Sequence, residues 1–196
     1  MILYFKPGAC SLADHIALHA AAMDFALIAV DLKTKRTVDG DDFLNINPKG
    51  YVPALVLDDG QVLTENAAIL SWIADQSPQL LPDGPLGRYR LIEALSYVSG
   101  ELHKSFKPFF TPGATDEAKA AAREAIAKRL AYLADRIEDG GFLLGPRFGT
   151  ADAYLFVMLR WARAQGVTLP PSLAAYFERV AALPYVQLAL THEAAA

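Results

Sequence analysis

Cys10 is the residue of this chain with the clearest capacity for covalent chemistry, and it is the only cysteine. It follows the turn Lys6-Pro7-Gly8 and opens an expected helix, where unpaired backbone N–H groups and the helix dipole favour a thiolate. Ser11 comes next and adds a hydroxyl at the same helix start. A single free cysteine is also common as a small buried apolar residue, so Cys10 alone supports both interpretations.

Two other segments carry groups that suit a peptide-like ligand. Val52 precedes Pro53 in a loop, and a cis bond there would turn the Val52 backbone N–H and C=O outward, although most such bonds are trans. Glu65 and Asn66 open a later helix, so a carboxylate could accept a ligand ammonium while the helix N-terminus binds a ligand carboxylate. A plain turn proline and ordinary helix capping explain the same residues without a ligand.

The histidines give weaker signals. His15 and His19 are four residues apart on the first expected helix, but no third metal ligand stands at a recognisable spacing, so we expect no metal site. We expect no specific role for His192, which lies in the C-terminal tail. Because histidine titrates near neutral pH, His103 could exchange a proton with a thiol, or it could be a packing residue between domains.

The elements that must position these residues begin with a strand, a helix and a strand. Ile2 to Phe5 and Leu27 to Val30 are short apolar runs typical of buried strands, and Ser11 to Ala22 between them has helical apolar spacing. This order predicts a right-handed βαβ unit with parallel strands. A short helix is expected near Phe43.

A hairpin and a second helix follow. Ala54 to Leu57 and Gln61 to Leu63 flank Asp58-Asp59-Gly60, where Asp-Gly favours a tight two-residue turn with positive φ angles. A helix is expected from about Glu65 to Gln76. Together with the first unit, the order βαβ then ββα predicts a four-stranded mixed sheet with helices packed on it.

The rest of the chain is predicted to be helical. Ser77 to Gly87 is rich in proline and glycine and is typical of an interdomain linker. The helical segments after it are Leu86 to Phe110, Asp116 to Glu138, Thr150 to Gln165 and Ser172 to Leu183. The predicted fold class is therefore α/β plus all-α, with domains at residues 1–77 and 88–196 and a linker at 78–87.

Composition restricts the classes of function. At 53% hydrophobic residues the chain can form real cores, and its formal charge of -4, without a basic cluster, gives no reason to expect nucleic acid as a partner. No run approaches the ~20 apolar residues of a membrane span, and the N-terminus does not resemble a signal peptide. A single cysteine suits a reducing compartment, so we expect a cytoplasmic protein.

Several motifs combine into a resemblance to the bacterial beta-class glutathione S-transferases, which covers essentially the whole chain. The matching segments are Tyr-Phe-Lys-Pro-Gly-Ala-Cys-Ser-Leu (4 to 12), Asn-Pro-Lys-Gly-Tyr-Val-Pro-Ala-Leu (47 to 55), Leu-Thr-Glu-Asn-Ala-Ala-Ile (63 to 69), Glu-Leu-His-Lys (101 to 104) and Ala-Asp-Ala-Tyr-Leu-Phe (151 to 156). The resemblance implies a thioredoxin-like N-terminal domain, an all-helical C-terminal domain, a homodimer, and glutathione as co-substrate with no further cofactor.

The same resemblance implies a role for individual residues. It places the glutathione sulfur near Cys10, Ser11 and His103, the glycyl carboxylate near Lys35 and the cysteinyl backbone on Val52. It also assigns the γ-glutamyl end to Glu65 and Asn66, lets Glu101 reach a ligand held by the other subunit, and builds the electrophile pocket from aromatic residues. Those aromatic residues are Phe106, Phe109, Phe110 and Trp161.

Three positions depart from the family pattern. Ser96 stands where relatives commonly carry Asn, and its shorter side chain puts that glutathione contact in doubt. Gly149 replaces the usual Ser or Thr of a capping box, so Asp152 is expected to lack its reciprocal partner. Asn66 stands where smaller residues are common, which should alter the detail of γ-glutamyl recognition.

The leading hypothesis is an enzyme that conjugates the glutathione thiolate to small apolar electrophiles, with Cys10, Ser11 and His103 as catalytic residues. One alternative is glutathione-dependent thiol-disulfide exchange or peroxide reduction through Cys10. An alternative of another class is a non-catalytic binder of apolar ligands, since fold alone does not establish activity.

Overall fold

The computed structural model describes residues 1–137 and 140–195, and its N-terminal half is built on a mixed sheet. The described residues form five strands in the order β3-β2-β1-β4-β5, with β1 and β2 parallel and the other pairs antiparallel. The strands are β1 (Ile2–Phe5), β2 (Ala26–Asp31), β3 (Arg36–Thr37), β4 (Ala54–Val56) and β5 (Val62–Thr64).

The predicted four strands are present, and the prediction missed β3. This two-residue strand pairs with the end of β2, with Thr37 opposite Val30. Its sequence, Arg36-Thr37, is polar and too short to show an alternating apolar pattern, so sequence periodicity carries no signal for it. The edge strand on this side of the sheet is therefore β3 rather than β2.

The hairpin between β4 and β5 closes differently from the prediction. Leu57 N–H donates to the Gln61 carbonyl at 2.8 Å, so three residues rather than two form the loop. Gly60 N–H donates back to the Leu57 carbonyl at 3.0 Å, and Gly60 has a φ of +84°, which makes it the left-handed residue of a type I turn with a bulge. Asp59 therefore does not need the positive φ that the two-residue turn requires.

Helices α1 (Leu12–Ala20) and α2 (Asn66–Gln76) pack on the sheet, and a short 3-10 helix covers Phe43–Asn45 as expected. Leu12, Ile16 and Ile69 are fully buried between these helices, the sheet and the helical half of the chain. A second 3-10 turn, Pro78–Leu80, lies within the predicted linker.

The C-terminal half contains helices separated by turns. They are α3 (Gly87–Tyr97), α4 (Lys107–Phe110), α5 (Asp116–Ala134), α6 (Thr150–Ala164), α7 (Pro171–Ala181) and α8 (Pro184–Ala194). A π-helical turn, Val98–His103, interrupts the single helix predicted from Leu86 to Phe110. Helix α5 ends at Ala134, and its predicted end at Glu138 lies outside the described residues. Among the described residues, no helix combines the length and apolar character that crossing a membrane requires.

The largest difference between the sequence prediction and the structure lies in the C-terminal tail, for which no helix was predicted. The tail forms helix α8, which packs against α1 in the N-terminal half and carries His192. Pro184 looks like a helix breaker, but it occupies the first turn of α8, where the missing N–H is tolerated. The His192 ring therefore lies against those of His15 and His19, with ring centroids 5.6 and 5.2 Å away, a position that the sequence did not predict.

Helix α6 is the central helix of the C-terminal core, and Asp152 anchors its first turn. Gly149 N–H donates to Oδ2 of Asp152 at 2.8 Å, while Oδ1 accepts from Leu143 N–H at 2.8 Å and from the Tyr176 hydroxyl at 2.7 Å. The expectation that Gly149 would deprive Asp152 of its partner is therefore wrong, because the backbone N–H supplies the contact. Complete burial raises the pKa of Asp152 to about 6, despite these donors.

Candidate active site

A cleft of about 550 Å³ lies between the sheet domain and the helical domain, a volume suited to a small ligand. The turn after β1, the loop before β4 and the start of α2 form one wall, while the π-helical turn and α6 form the other. The lining residues are Lys6, Pro7, Gly8, Ala9, Cys10, Leu32, Tyr51, Val52, Pro53, Glu65, Asn66, Ser99, His103, Phe110, Tyr154 and Trp161.

Cys10 lies at the floor of this cleft as a partly buried thiol. Its Sγ is 3.7 Å from the Val52 carbonyl oxygen, a distance at which the thiol can donate a weak hydrogen bond. Burial, followed by the nearby Asp14 carboxyl, raises the pKa of Cys10 to about 12, although backbone N–H groups of Cys10 and Ser11 act in the opposite direction. Burial thus outweighs the helix N-terminus, and the expected stabilisation of a Cys10 thiolate is wrong.

Ser11 is held away from the cleft. Its hydroxyl is fully buried, accepts a hydrogen bond from Lys6 N–H at 3.2 Å and lies 3.4 Å from the Lys6 carbonyl oxygen. These contacts close the turn that precedes α1. The residue therefore shapes the loop carrying Cys10, and the described residues that line the cleft do not include it.

His103 and Tyr154 form a short hydrogen-bonded pair on the helical wall. The His103 Nδ1 lies 2.6 Å from the Tyr154 hydroxyl oxygen. Burial lowers the pKa of His103 to about 4, and burial likewise raises the pKa of Tyr154. Near neutral pH both groups are therefore uncharged hydrogen-bonding groups, with Trp161 packed edge-on against the imidazole at 5.1 Å between ring centroids.

The π-helical turn determines which serine lines the cleft together with His103. Ser99 and His103 both lie within the turn and both line the cleft, whereas Ser96 precedes it, is exposed and does not belong to the lining residues. A π turn adds a residue to one helical turn and rotates the preceding residues relative to those that follow. The sequence prediction of a Ser96 contact assumed an unbroken α-helix, and the structure offers Ser99 in its place.

Glu65 projects from the start of α2 at the mouth of the cleft. Its backbone has a φ of +74°, a strained conformation for this residue type that often accompanies a functional position. The carboxylate accepts hydrogen bonds from Lys49 Nζ and from the Tyr51 hydroxyl, the latter at 2.8 Å. Hydrogen bonding from Lys49 is the main reason that the pKa of Glu65 lies below its usual value, so the group is a carboxylate near neutral pH.

Asn66 is nearly buried and connects the two halves of the N-terminal wall. Its Nδ2 donates to the Cys10 carbonyl at 2.9 Å and to Oδ2 of Asp14 at 3.0 Å. Both amide hydrogens are thereby engaged with protein acceptors. At the start of α2, the N–H groups of Ala68 and Ile69 both donate to the Glu65 carbonyl at 3.0 Å, so the N–H groups of Asn66 and Ala67 are the ones left without an intrahelical acceptor.

Val52 presents its backbone to the cleft. The Val52-Pro53 bond is cis, as the loop sequence permitted, and both residues line the cavity. Lys35 lies beyond this loop, where Nζ donates to the Gly50 carbonyl at 2.6 Å, and the described residues that line the cleft do not include it. Like Glu65, Lys35 has a positive φ, of +59°.

Glu101 also lies outside the cleft wall. Its exposed carboxylate accepts a hydrogen bond from Arg129 at 2.8 Å on the surface of the helical domain. The described chain therefore shows this residue paired within its own protomer.

Of the four aromatic residues expected to form the electrophile pocket, two line the cleft. Phe110 and Trp161 line it, with ring centroids 4.9 Å apart. Phe106 is fully buried beneath Trp161, and Phe109 packs beside the Arg123 guanidinium at 5.4 Å. The three phenylalanines lie at or beside α4 and Trp161 lies on α6, and the helical phase, which the sequence alone does not fix, decides which of them face the cavity.

Sequence reasoning missed two residues that complete the site. Tyr154 provides the hydroxyl that contacts His103, and Tyr51 provides the one that contacts Glu65. Both lie inside motifs that had drawn attention for other residues. The tyrosine in each motif could have predicted this contact, because a buried or partly buried tyrosine hydroxyl usually has a hydrogen-bond partner nearby.

Comparison with known proteins agrees with this geometry. Residues 9–76 match the family model of the glutathione S-transferase N-terminal domain, and residues 116–179 match that of the C-terminal domain. A curated relative, glutathione S-transferase GstA of Escherichia coli O157:H7, is 46% identical over 98% of both chains.

Solved structures show the same relationship. A sphingomonad glutathione S-transferase complexed with glutathione is 48% identical, with a TM-score of 0.94 over 100% of both chains. The bacterial beta-class enzyme of Sphingomonas chungbukensis is 50% identical, with a TM-score of 0.90 over 98% of both chains.

A thioredoxin-like sheet domain joined to a helical domain, with a cleft between them, defines a glutathione S-transferase, and this chain belongs to that family. Within the family its relatives include the bacterial beta class, as the motifs predicted. The predicted fold and the predicted activity of a glutathione S-transferase are both confirmed.

Proposed function

We propose that this enzyme binds glutathione as co-substrate in the interdomain cleft and conjugates it to small apolar electrophiles: the thiol gives up its proton, its sulfur bonds to the electrophile, and a leaving group such as halide departs. The observation that carries the proposal is the uncharged His103–Tyr154 pair, which faces a Cys10 thiol across the same cavity. Such a pair can donate hydrogen bonds to a developing thiolate without bringing a net charge into the cleft. Donors placed where charge develops are a large source of catalytic rate.

In this proposal Tyr154 donates its hydrogen bond to Nδ1 of His103. The other ring nitrogen, Nε2, then carries the hydrogen and becomes a donor toward the sulfur of glutathione. The raised pKa of Tyr154 supports this arrangement, because the hydroxyl keeps its hydrogen near neutral pH. Ser99, on the same π-helical turn, adds a second hydroxyl to this wall.

The remaining wall suits the peptide portion of glutathione. Val52 offers backbone groups to the cysteinyl residue, and Glu65 offers a carboxylate to the γ-glutamyl ammonium. The first turn of α2 at Asn66 offers N–H groups to the γ-glutamyl carboxylate. We retain Lys35 for the glycyl carboxylate, which requires its ammonium to leave the Gly50 carbonyl, and Ser96 is replaced by Ser99 in this assignment.

The electrophile pocket is assigned to the aromatic side of the cleft. Phe110 and Trp161 provide flat apolar surfaces next to His103. A substrate bound there would lie close to the glutathione sulfur. Its physical class is a small, largely apolar molecule, because these surfaces offer stacking and little hydrogen bonding.

The raised pKa of Cys10 favours conjugation over thiol-disulfide exchange. With a pKa of about 12, Cys10 is almost entirely a neutral thiol at pH 7 and is a poor nucleophile toward disulfides. Its part in conjugation is then to position the glutathione sulfur by hydrogen bonding. Exchange through Cys10 stays the alternative that the experiment below separates.

The test combines glutathione titration by calorimetry with two activity assays on the same protein preparation. Conjugation is measured with a generic aryl halide, and disulfide exchange with a mixed disulfide of glutathione. The variants are Cys10→Ala and His103→Gln, with Ser96→Ala as a matched control because Ser96 lies on the same helical segment outside the cleft.

We expect Cys10→Ala to keep most conjugation, and His103→Gln to lower its kcat by about 10²-fold, the lower range for one positioned proton-transfer or hydrogen-bonding group. Ser96→Ala should match the wild type. Conjugation kept and disulfide exchange lost in Cys10→Ala would assign the exchange chemistry, and not the conjugation, to Cys10. Failure of the wild type to bind glutathione at millimolar concentration would favour the non-catalytic binder.

We further propose that the protein is cytoplasmic and that residues 78–87 form the boundary between its two domains. We also propose a homodimer in which Glu101 approaches the ligand bound by the partner subunit. Exposed Leu86 and Tyr89 at the start of α3 support an association surface. The Glu101–Arg129 ion pair would then position the carboxylate near the subunit boundary. Sedimentation of the wild type and of Tyr89→Glu tests this, and a monomeric wild type would refute it.

A further inference from the structure

Three of the four histidines meet on the side of the N-terminal domain that faces helix α8. His15 and His19 are one turn apart on α1, and His192 approaches them from α8. One ring nitrogen from each histidine can be chosen so that all three lie within 4.8 Å of one another. Two helices that are far apart in sequence therefore converge on one group of nitrogen donors.

The spacing of the first two donors already suits a tetrahedral metal ion. The Nε2 atoms of His15 and His19 are 3.2 Å apart. Two histidine nitrogens bound to zinc at about 2.0–2.1 Å, with a tetrahedral angle between them, are separated by about 3.3–3.4 Å. The pair therefore needs almost no rearrangement, and His192, which is exposed, can rotate its ring toward them.

A carboxylate stands behind the most deeply buried of the three rings. Oε1 of Glu193 lies 3.5 Å from Nδ1 of His15, on the opposite side of the ring from Nε2. When Nδ1 carries the hydrogen and donates to this carboxylate, Nε2 keeps its lone pair toward the cluster. A carboxylate that orients a histidine in this way is a recurrent partner of protein-bound zinc.

Glu193 is itself fixed in place. It is nearly buried, and its second oxygen, Oε2, accepts a hydrogen bond from Gly8 N–H at 2.7 Å. The two carboxylate oxygens of Glu193 therefore have different partners: Oε1 faces the His15 ring, and Oε2 binds the turn that borders the cleft. This arrangement gives the carboxylate a defined orientation before any ion binds.

The chemistry of the cluster indicates which ions it would hold. Phe25 packs against His15 and His19, at 5.7 and 4.9 Å between ring centroids, so the rings are held in an apolar setting. Neutral imidazoles prefer zinc, cobalt, nickel and copper to the oxygen-seeking magnesium and calcium ions.

We propose that His15, His19 and His192 form a binding site for a divalent transition-metal ion of the zinc type, with Glu193 positioning the imidazole of His15. The fourth position is open to water on the exposed side of His192. The ion would fasten α8 to α1 and would take no part in the conjugation proposed above. The sequence analysis expected no metal site because it counted only His15 and His19 as ligands and gave His192, in the C-terminal tail, no specific role.

The test uses the full-length chain without a histidine tag, after removal of metal by a chelator. Cobalt(II) is titrated first and followed by its ligand-field absorption, and zinc is then used to displace it and to measure affinity by calorimetry. The variants are His192→Gln, which alters an exposed side chain, and Glu193→Gln, which keeps the shape of the outer carboxylate. His103→Gln is the matched control, since it removes the one histidine outside the cluster.

We expect one cobalt ion per chain, an absorption spectrum typical of tetrahedral coordination, and a higher melting temperature with zinc. His192→Gln should weaken binding by at least about 10-fold and Glu193→Gln by about 10- to 100-fold, whereas His103→Gln should bind as the wild type does. The proposal is overturned if the wild type shows no saturable binding, or if His192→Gln binds as tightly as His103→Gln. Circular dichroism of His192→Gln verifies that any loss occurs in a folded protein.

Discussion

Two buried aspartates occupy the same helical position in the two domains, and their surroundings differ. Asp14 is the third residue of α1, and Asp152 is the third residue of α6. Both oxygens of Asp152 accept hydrogen bonds, from Gly149, Leu143 and Tyr176. Asp14 has a single donor, Asn66, and within residues 1–137 and 140–195 its Oδ1 has no hydrogen-bond partner.

This difference indicates that the two carboxyl groups have different roles: Asp152 stabilises the helical domain, whereas Asp14 affects the pKa of a thiol in the cleft. Asp152 connects the start of α6 to a loop and to α7, so its contacts organise the helical core. Asp14 lies behind Cys10 and is, after burial, the largest contributor to the raised pKa of that thiol. Burial also raises the pKa of Asp14 well above its usual value, which favours the uncharged acid at this position.

The largest expected effect comes from Asp152→Ala. The change leaves the N–H groups of Leu143 and Gly149 and the Tyr176 hydroxyl without their buried acceptor. We expect the free energy of unfolding to fall by about 3–5 kcal/mol, since each buried unsatisfied group costs about 1–3 kcal/mol and partial relaxation recovers some of it. Urea unfolding measures the change, and the exposed Glu124→Ala on α5 is the control; equal stability of the two variants would contradict the assigned role.

The pH dependence of stability should carry the signature of Asp152. Its pKa is about 6 in the folded chain and near 3.8 when unfolded, so the folded state binds the additional proton between these values. The contribution is therefore complete below about pH 4 and is lost as pH rises through about 6, with a size on the order of 3 kcal/mol.

Unfolding of the wild type and of Asp152→Asn across this range tests that sign. The wild type should lose stability relative to the variant as pH rises from about 4 to about 7. A difference between the two proteins that stays constant with pH would show that Asp152 does not titrate in this window.

A smaller effect is expected from Asn66→Ala, which removes the side-chain donor that Asp14 has among the described residues. The Cys10 carbonyl loses a donor as well, so we expect a loss of about 1–3 kcal/mol in unfolding free energy. Glutathione affinity should fall too, because the turn carrying Cys10 is no longer fixed to α2. Ala67→Ser, a neighbouring change on the same helix, is the control for both measurements.

The smallest effect on stability is expected from Asp14→Asn. Burial already favours the uncharged acid at this position, and the amide has nearly the same shape, so the unfolding free energy should change by no more than about 1 kcal/mol. The pKa of Cys10 should nevertheless fall, because the opposing carboxylate is gone. Alkylation rates of Cys10 measured against pH test this, and an unchanged profile would exclude Asp14 as a cause.

The sequence predicted the fold well where local patterns and tertiary packing agree. The βαβ unit, the hairpin strands and most helices follow directly from apolar spacing and turn residues. Helix α8 was missed because its proline and its short polar end resemble a terminus, and its packing against α1 and α7 in the tertiary structure stabilises it. Strand β3 was missed because its pairing depends on backbone hydrogen bonds rather than on side-chain pattern.

The candidate site was predictable in its elements and less so in its contacts. Cys10, Val52, Glu65 and His103 do meet in one cleft, since each lies at the end of an element that the motifs mark. The choice of Ser99 over Ser96 depends on a π-helical turn, for which the sequence has no clear sign. The raised pKa of Cys10 depends on burial by distant residues, which sequence order does not reveal.

The hydrogen bond from Gly8 to Glu193 joins two residues that are 185 positions apart in sequence. The ribosome therefore synthesises Glu193 long after Gly8. The turn from Lys6 to Cys10 acquires this support only once helix α8 has been made, although the sheet around it emerges early. Limited proteolysis of nascent chains should accordingly find this turn protected late, after the C-terminal helix has left the exit tunnel.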